Sequence, residues 1–173
     1  MVVGYIFTFI NYIAYCTSRF QKKKSLILTL DLIAKICTII ALYFLGSLSG
    51  SYSMFISFIS IIIFNIKERY KFNKYLEFSI YILLQIGYIL VGIFTFSGIS
   101  TILIFITSSV MLFANCYLSP QKMRFLGVPC SMLYLGYQIS IKNWVGLLEI
   151  LVILSNIISF KKYKKLESQS QSI

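Results

Sequence analysis

The sequence predicts an all-α membrane protein with seven transmembrane helices, in a 3-1-3 arrangement of two parallel triple-helix bundles. Three observations lead there. First, the 173 residues are 58% hydrophobic and only 12% charged, with a mean hydropathy of +0.85, whereas a water-soluble domain carries about 25% charged residues. Second, the apolar residues fall into seven runs separated by short polar junctions. Third, one junction recurs. Cys16-Thr17-Ser18-Arg19-Phe20-Gln21-Lys22-Lys23-Lys24 returns as Cys116-Tyr117-Leu118-Ser119-Pro120-Gln121-Lys122-Met123-Arg124, each copy closing one apolar run and opening the next. Three helices cross a bilayer an odd number of times, so a direct copy would enter upside down. One unpaired crossing between the copies restores the orientation and leaves two parallel triplets, related by an axis along the membrane normal.

The first bundle is expected over residues 1–66. Segment 1, Val2 to Thr17, is apolar apart from Asn11. Its charges, Arg19 and Lys22 to Lys24, follow the apolar run, so it is expected to stay as a helix and not be removed as a signal peptide. Segment 2, Ser25 to Ser47, carries Asp31 and Lys35. Leu45-Gly46-Ser47-Leu48-Ser49-Gly50 reads as a tight turn, and segment 3 runs from Tyr52 to Ile66. Residues 67–100 hold a charged linker (Lys67 to Lys74), the inverting segment 4 (Phe78 to Phe96) and the turn Ser97-Gly98-Ile99-Ser100.

The second bundle, residues 101–160, contains segments 5 (Thr101 to Leu118), 6 (Phe125 to Ser140) and 7 (Val145 to Phe160). Residues 161–173 are basic and then Ser/Gln-rich, which predicts a disordered cytoplasmic tail.

Several runs are shorter than the about 20 residues that span the hydrocarbon. The charges argue for keeping all seven. If every segment crosses, all of the 16 basic residues except Lys35 and Lys142 fall on one face. Dropping any one segment scatters them. The positive-inside rule then places the N-terminus outside and the C-terminus in the cytoplasm. Because the net charge of +11 lies in these junctions, nucleic acid is not an expected partner.

Enzymatic chemistry is not expected. There is no histidine, which removes the usual imidazole base and the usual zinc sites. The four cysteines (Cys16, Cys37, Cys116, Cys130) show no metal-binding spacing and have no base beside them in sequence. Cys16 and Cys116 fall at predicted cytoplasmic ends, where disulfides do not persist. Asp31 and Glu149 are predicted toward opposite faces, which makes a poor aspartyl pair. No cofactor or metal is therefore implied.

Asp31 and Lys35 are the sharpest intramembrane feature. They sit roughly 9 and 15 Å into the bilayer, at i and i+4 with the acid N-terminal, the favourable order for an ion pair on one helix face. Unpaired, each costs about 2.5 to 3.5 kcal/mol. They read either as part of a substrate or proton path or as a self-neutralised structural pair. The second copy has Ser131 and Leu135 at the matching positions, so a charged site common to both copies is not indicated.

Asn11, Tyr43, Gln85, Tyr137 and Asn156 are further candidates for a pathway, with Tyr134, Gln138 and Asn115 also polar within the runs. The plainer reading is interhelical hydrogen bonds worth about 0.6 kcal/mol each. Glu149, one turn inside the outer end of segment 7, can snorkel outward or pair with Lys142. Trp144 is placed as an interfacial anchor. Pro129 frees a backbone carbonyl between Gly127 and Gly136, either as a hinge or as an ordinary membrane-helix kink. Ser49, Ser53, Ser57 and Ser60, and likewise Ser155 and Ser159, form small-residue stripes that let helices approach closely in lipid.

The Gln-Lys junctions, a helix ending in Tyr, a Gly/Ser turn and a third small-residue helix resemble the YgjV-type bacterial inner-membrane family. The likeness is best from Gln121 to Tyr163, in Lys122-Met123-Arg124-Phe125-Leu126, Leu133-Tyr134-Leu135-Gly136-Tyr137 and Gly146-Leu147-Leu148-Glu149. That family in turn resembles the SWEET and PQ-loop carriers of the MtN3-like superfamily, whose triple-helix bundles are joined by one inverting helix. The resemblance implies a bacterial inner-membrane protein that holds a small polar solute between its bundles. Ser119-Pro120-Gln121 echoes the Pro-Gln motif, but the first copy has Arg19-Phe20-Gln21. Pro120 and Pro129 are the only prolines, so the symmetric hinge prolines of sugar carriers are missing and sugar specificity does not carry over. The expected function is a small-solute facilitator or secondary carrier in the lipid bilayer. The alternative is a non-transporting accessory, sensor or immunity protein. Seven helices can enclose a path alone, and a homo-oligomer is also compatible.

Overall fold

The computed structural model describes residues 2–70 and 72–170, with side chains as far as Lys164. Among these residues there is no strand. The helices are α1 (Val2–Arg19), α2 (Lys24–Phe44), α3 (Leu48–Arg69), α4 (Lys74–Phe94), α5 (Ile99–Tyr117), α6 (Pro120–Ser140) and α7 (Glu149–Ser170), with a 3-10 turn, Trp144–Leu148, before α7.

Local chemistry sets the ends. Gly46 and Gly98 take φ of +78° and +97° in the turns after α2 and α4, a conformation open to glycine at no steric cost. The Asn73 side chain caps α4 by accepting from the Tyr75 N–H at 3.3 Å. Pro120 opens α6, where its missing N–H is no loss.

Polar termini join the helices, and several boundaries differ from expectation, among them the start of α4 at Lys74 instead of Phe78. α3 begins at Leu48 instead of Tyr52, and α6 begins at Pro120 instead of Phe125. Lys122 and Arg124 are therefore helical residues, not loop charges. α7 continues to Ser170, where a disordered tail was expected from residue 161. Lys161 to Glu167 contains no glycine or proline and is rich in lysine, a good helix former. Residues 171–173 lie outside the described residues.

The exposed helix faces are apolar, unlike those of a water-soluble bundle. On α1, Val2, Val3, Ile6, Phe9, Ile10 and Ile13 are exposed, while Gly4, Thr8, Asn11, Tyr12, Ser18 and Arg19 are buried. Among the described residues, five stretches are long and apolar enough to cross a membrane: α2, α3, α4, α5 and Trp144–Lys164. α1 and α6 fall below that apolarity, because their inward faces carry Asn11 and Arg19, and Arg124, Ser131 and Gln138 respectively.

Six helices close a ring in which α1 packs on α2, α2 on α3, α3 on α5, α5 on α6, α6 on α7, and α7 on α1. α4 stands outside it against α3 and α5, with only Leu84 and Tyr88 buried. The basic junctions meet at one end of the ring. There the Arg124 guanidinium donates to the carbonyls of Arg19 (2.9 Å) and Gln21, Gln121 donates to the Phe160 carbonyl (2.8 Å), and Lys24 pairs with Glu68 (2.9 Å). At the other end the α2–α3 and α4–α5 turns and Ile141 border an open vestibule of about 550 Å³.

Two apolar clusters fill the ring. Ile27, Leu28, Ile61, Phe64, Leu112 and Met123 lie toward the basic end, and Leu42, Met54, Ile104, Tyr134 and Tyr137 toward the vestibule. Between them is a polar layer.

Candidate functional site

Asp31 does not pair with Lys35. Its carboxylate lies 2.6 Å from the Arg19 guanidinium and accepts a second bond from the Ser18 hydroxyl at 2.6 Å. Arg19, at the last turn of α1, folds inward over the Tyr15 ring at 4.5 Å and reaches Asp31 across the α1–α2 interface. A planar guanidinium suits a buried carboxylate better than an ammonium does. Lys35 therefore turns into the interior. Its Nζ donates to the Met54 thioether at 3.1 Å and lies 5.6 Å from the centre of the Tyr15 ring. A thioether is a weak acceptor. Among the described residues, no carboxylate lies within 4 Å of the Lys35 ammonium.

Glu149 begins α7 and is 4% exposed. It neither reaches the outer surface nor pairs with Lys142. The chain re-enters through the 3-10 turn, which folds onto the end of α6. Asn143 Nδ2 donates to Gln138 Oε1 at 2.8 Å, the Tyr12 hydroxyl donates to the Gly146 carbonyl at 3.3 Å, and Gly146 lies so close to Gln138 that a side chain there would collide. That fold-back sets the Glu149 carboxylate inside the ring, facing the hydroxyls of Ser131 and Tyr12.

Lys35 lies eleven residues after Lys24, and Glu149 eleven before Phe160. At 1.5 Å per residue both stand about 16 Å from the basic end, half the depth of an about 30 Å hydrocarbon core.

Lys35 and Glu149 line one cavity of about 40 Å³, which is room for about three waters. Asn11, Tyr15, Arg19, Thr38, Met54 and Ser57 line it from α1, α2 and α3. Thr107, Ser108, Met111, Gly127, Cys130, Ser131, Tyr134 and Asn156 line it from α5, α6 and α7. No α4 residue takes part. The Oδ1 atoms of Asn11 and Asn156 and the Ser108 hydroxyl are buried without a hydrogen-bond partner in the protein, so the layer offers acceptors as well as two opposite charges. Gly127 is what lets Asn156 approach α6, since a Cβ there would stand 2.9 Å from Asn156 Oδ1.

Of the residues singled out from sequence, Asn11, Lys35 and Asn156 meet at this cavity. Asp31 lies behind it and holds Arg19, which lines it. Tyr137 is fully buried in the apolar cluster above, its hydroxyl 2.7 Å from the Ser47 hydroxyl. Tyr43 does not line the cavity: it is 64% exposed on the outer face, edge-on to Phe44. Gln85 does not line it either: its Nε2 ties α4 to α5 through the Ser109 carbonyl at 3.3 Å and donates within α4 to the Tyr81 hydroxyl at 3.0 Å. Pro129 lies within α6 beside the cavity residues Cys130 and Ser131.

Arg19, Glu149 and Arg124 are the residues that sequence reasoning undervalued. A signal was present for two of them. The junctions are built from lysine, the chain has three arginines, and Arg19 and Arg124 are both buried.

A family model described as Imp-YgjV, bacterial inner membrane protein, matches residues 2–167. No curated protein and no solved structure is significantly similar to the chain. A match across nearly the whole length, on a chain whose exposed faces are apolar and whose interior carries a polar layer, identifies it: the chain belongs to the Imp-YgjV family of bacterial inner membrane proteins.

Proposed function

We propose that the chain is a facilitator or secondary carrier for a small polar solute, held between α1–α3 and α5–α7. The observation that carries this is the polar cavity at mid-depth, lined from both halves and bounded by an apolar cluster on each side. A structural core has no need of a buried lysine and a buried glutamate that face the same space without pairing, since each costs about 2.5 to 3.5 kcal/mol in a bilayer.

In this reading all seven helices cross the membrane and α4 is the inverting helix between two parallel triplets. The basic end is cytoplasmic, the N-terminus is outside, and the vestibule opens outward. Access alternates by rocking one triplet against the other, with Pro129 and Gly127 giving α6 its flexibility beside the cavity. α4 packs lightly at the edge and buries only two side chains, which suits a spacer.

The test is counterflow in proteoliposomes with a panel of labelled amino acids, polyols, sugars and vitamins. At least one solute is expected to exchange, and Gly127→Leu or Ser108→Leu, each filling the cavity, is expected to abolish exchange. Thermal melting identifies any variant that fails to fold. No exchange across the whole panel would overturn the proposal.

A further inference from the structure

Taking that carrier reading as its basis, we propose that the solute is a small zwitterion, an amino acid of few heavy atoms, with its ammonium on Glu149 and its carboxylate on Lys35. Four charged side chains are buried together in and behind the cavity wall: Arg19, Asp31, Lys35 and Glu149. Their charges sum to zero. A cation or an anion alone would leave an uncompensated charge in a low-dielectric layer, and that is strongly unfavourable. Arg19 and Asp31 neutralise each other's charge, although Arg19 Nε keeps no hydrogen-bond partner, whereas Lys35 and Glu149 have no ion-pair partner within 4 Å among the described residues. A neutral polyol would leave both charges without a counter-charge. A zwitterion supplies one partner to each and adds no net charge.

The surrounding groups agree. The Oδ1 atoms of Asn11 and Asn156 are unsatisfied acceptors, able to share the three donors of an ammonium. The Lys35 ammonium is held by a thioether, which a carboxylate displaces readily. The cavity of about 40 Å³, the space of about three waters, is smaller than the five heavy atoms of glycine, so the solute enters as the two halves part and only a small side chain is accommodated.

The experiment measures counterflow of labelled glycine and alanine into proteoliposomes containing the full chain, beside acetate, methylammonium and glycerol. Glycine or alanine is expected to exchange about tenfold faster than the other three. Lys35→Met and Glu149→Gln are each expected to remove that preference. The double variant K35M/E149Q is expected to melt within a few degrees of the parent yet no longer distinguish glycine from glycerol. Glycerol or another uncharged solute exchanging as fast as glycine, with neither substitution altering the ratio, would overturn the zwitterion and leave the carrier standing. No exchange of any solute would overturn both.

Discussion

The Arg19 guanidinium and the Asp31 carboxylate lie 2.6 Å apart with both side chains 1% exposed. The pair joins the end of α1 to the middle of α2, and Arg124 from the other half donates to the Arg19 backbone carbonyl. Removing one member strands the other charge. Asp31→Asn or Arg19→Met alone is expected to lower stability by about 3 to 5 kcal/mol. The double variant is expected to lose less than the sum of the two. Thermal or denaturant unfolding in detergent micelles measures this, and strictly additive losses would remove the pair from the account.

Tyr137 packs directly against Gly50, bringing the halves together on the vestibule side. The Tyr137 side chain leaves no room for a Cβ at position 50. Gly50→Ala is expected to cost about 1 to 3 kcal/mol through overpacking. Tyr137→Phe loses its bond to Ser47, worth about 1 kcal/mol, but makes space. In the Gly50→Ala background, Tyr137→Phe should therefore be stabilising. Loss of stability there as well would show that the collision is relieved in some other way.

Tyr163 lies beyond Phe160, in the stretch read from sequence as a loose tail. Its ring lies 4.3 Å from the Arg124 guanidinium, and its hydroxyl donates to the Phe20 carbonyl. The extended α7 thus locks the two halves together at the basic end. Tyr163→Ala is expected to cost about 1 to 2 kcal/mol and to speed proteolysis after Phe160. An unchanged melting temperature and cleavage rate would fit a tail that packs on nothing.

Seven crossings require the chain termini to face opposite sides. Reporter fusions are expected to place the N-terminus outside and the C-terminus in the cytoplasm. Finding both on one side would remove the parallel triplets and the seam between them.

Helix number and order were legible because lipid-facing runs are long and their junctions are polar. The ends were less legible, because a charge such as Arg124 reads as loop unless a buried carbonyl is known to await it. Asn11, Lys35 and Asn156 could be picked out because polar groups are few inside apolar runs. Tyr43 was misplaced for want of phase. Asp31, Lys35, Thr38 and Leu42 mark the buried face of α2 at helical spacing, and Tyr43 falls off it. The depth of Glu149 was not legible, since it depends on the 3-10 turn folding back onto Gln138, a tertiary contact. The Asp31–Lys35 pairing failed for a related reason. Helical spacing permits it, but Arg19 arrives from another helix and competes.

Cys130 is the native cysteine that lines the cavity, so its reactivity tests the shared polar path most directly. With Cys16, Cys37 and Cys116 replaced by alanine, a small charged methanethiosulfonate is expected to modify Cys130 in sealed vesicles. A transported solute is expected to slow that reaction. If Cys130 stays unreactive from both faces in a protein that melts normally, the cavity is a sealed part of the core and no path runs through it.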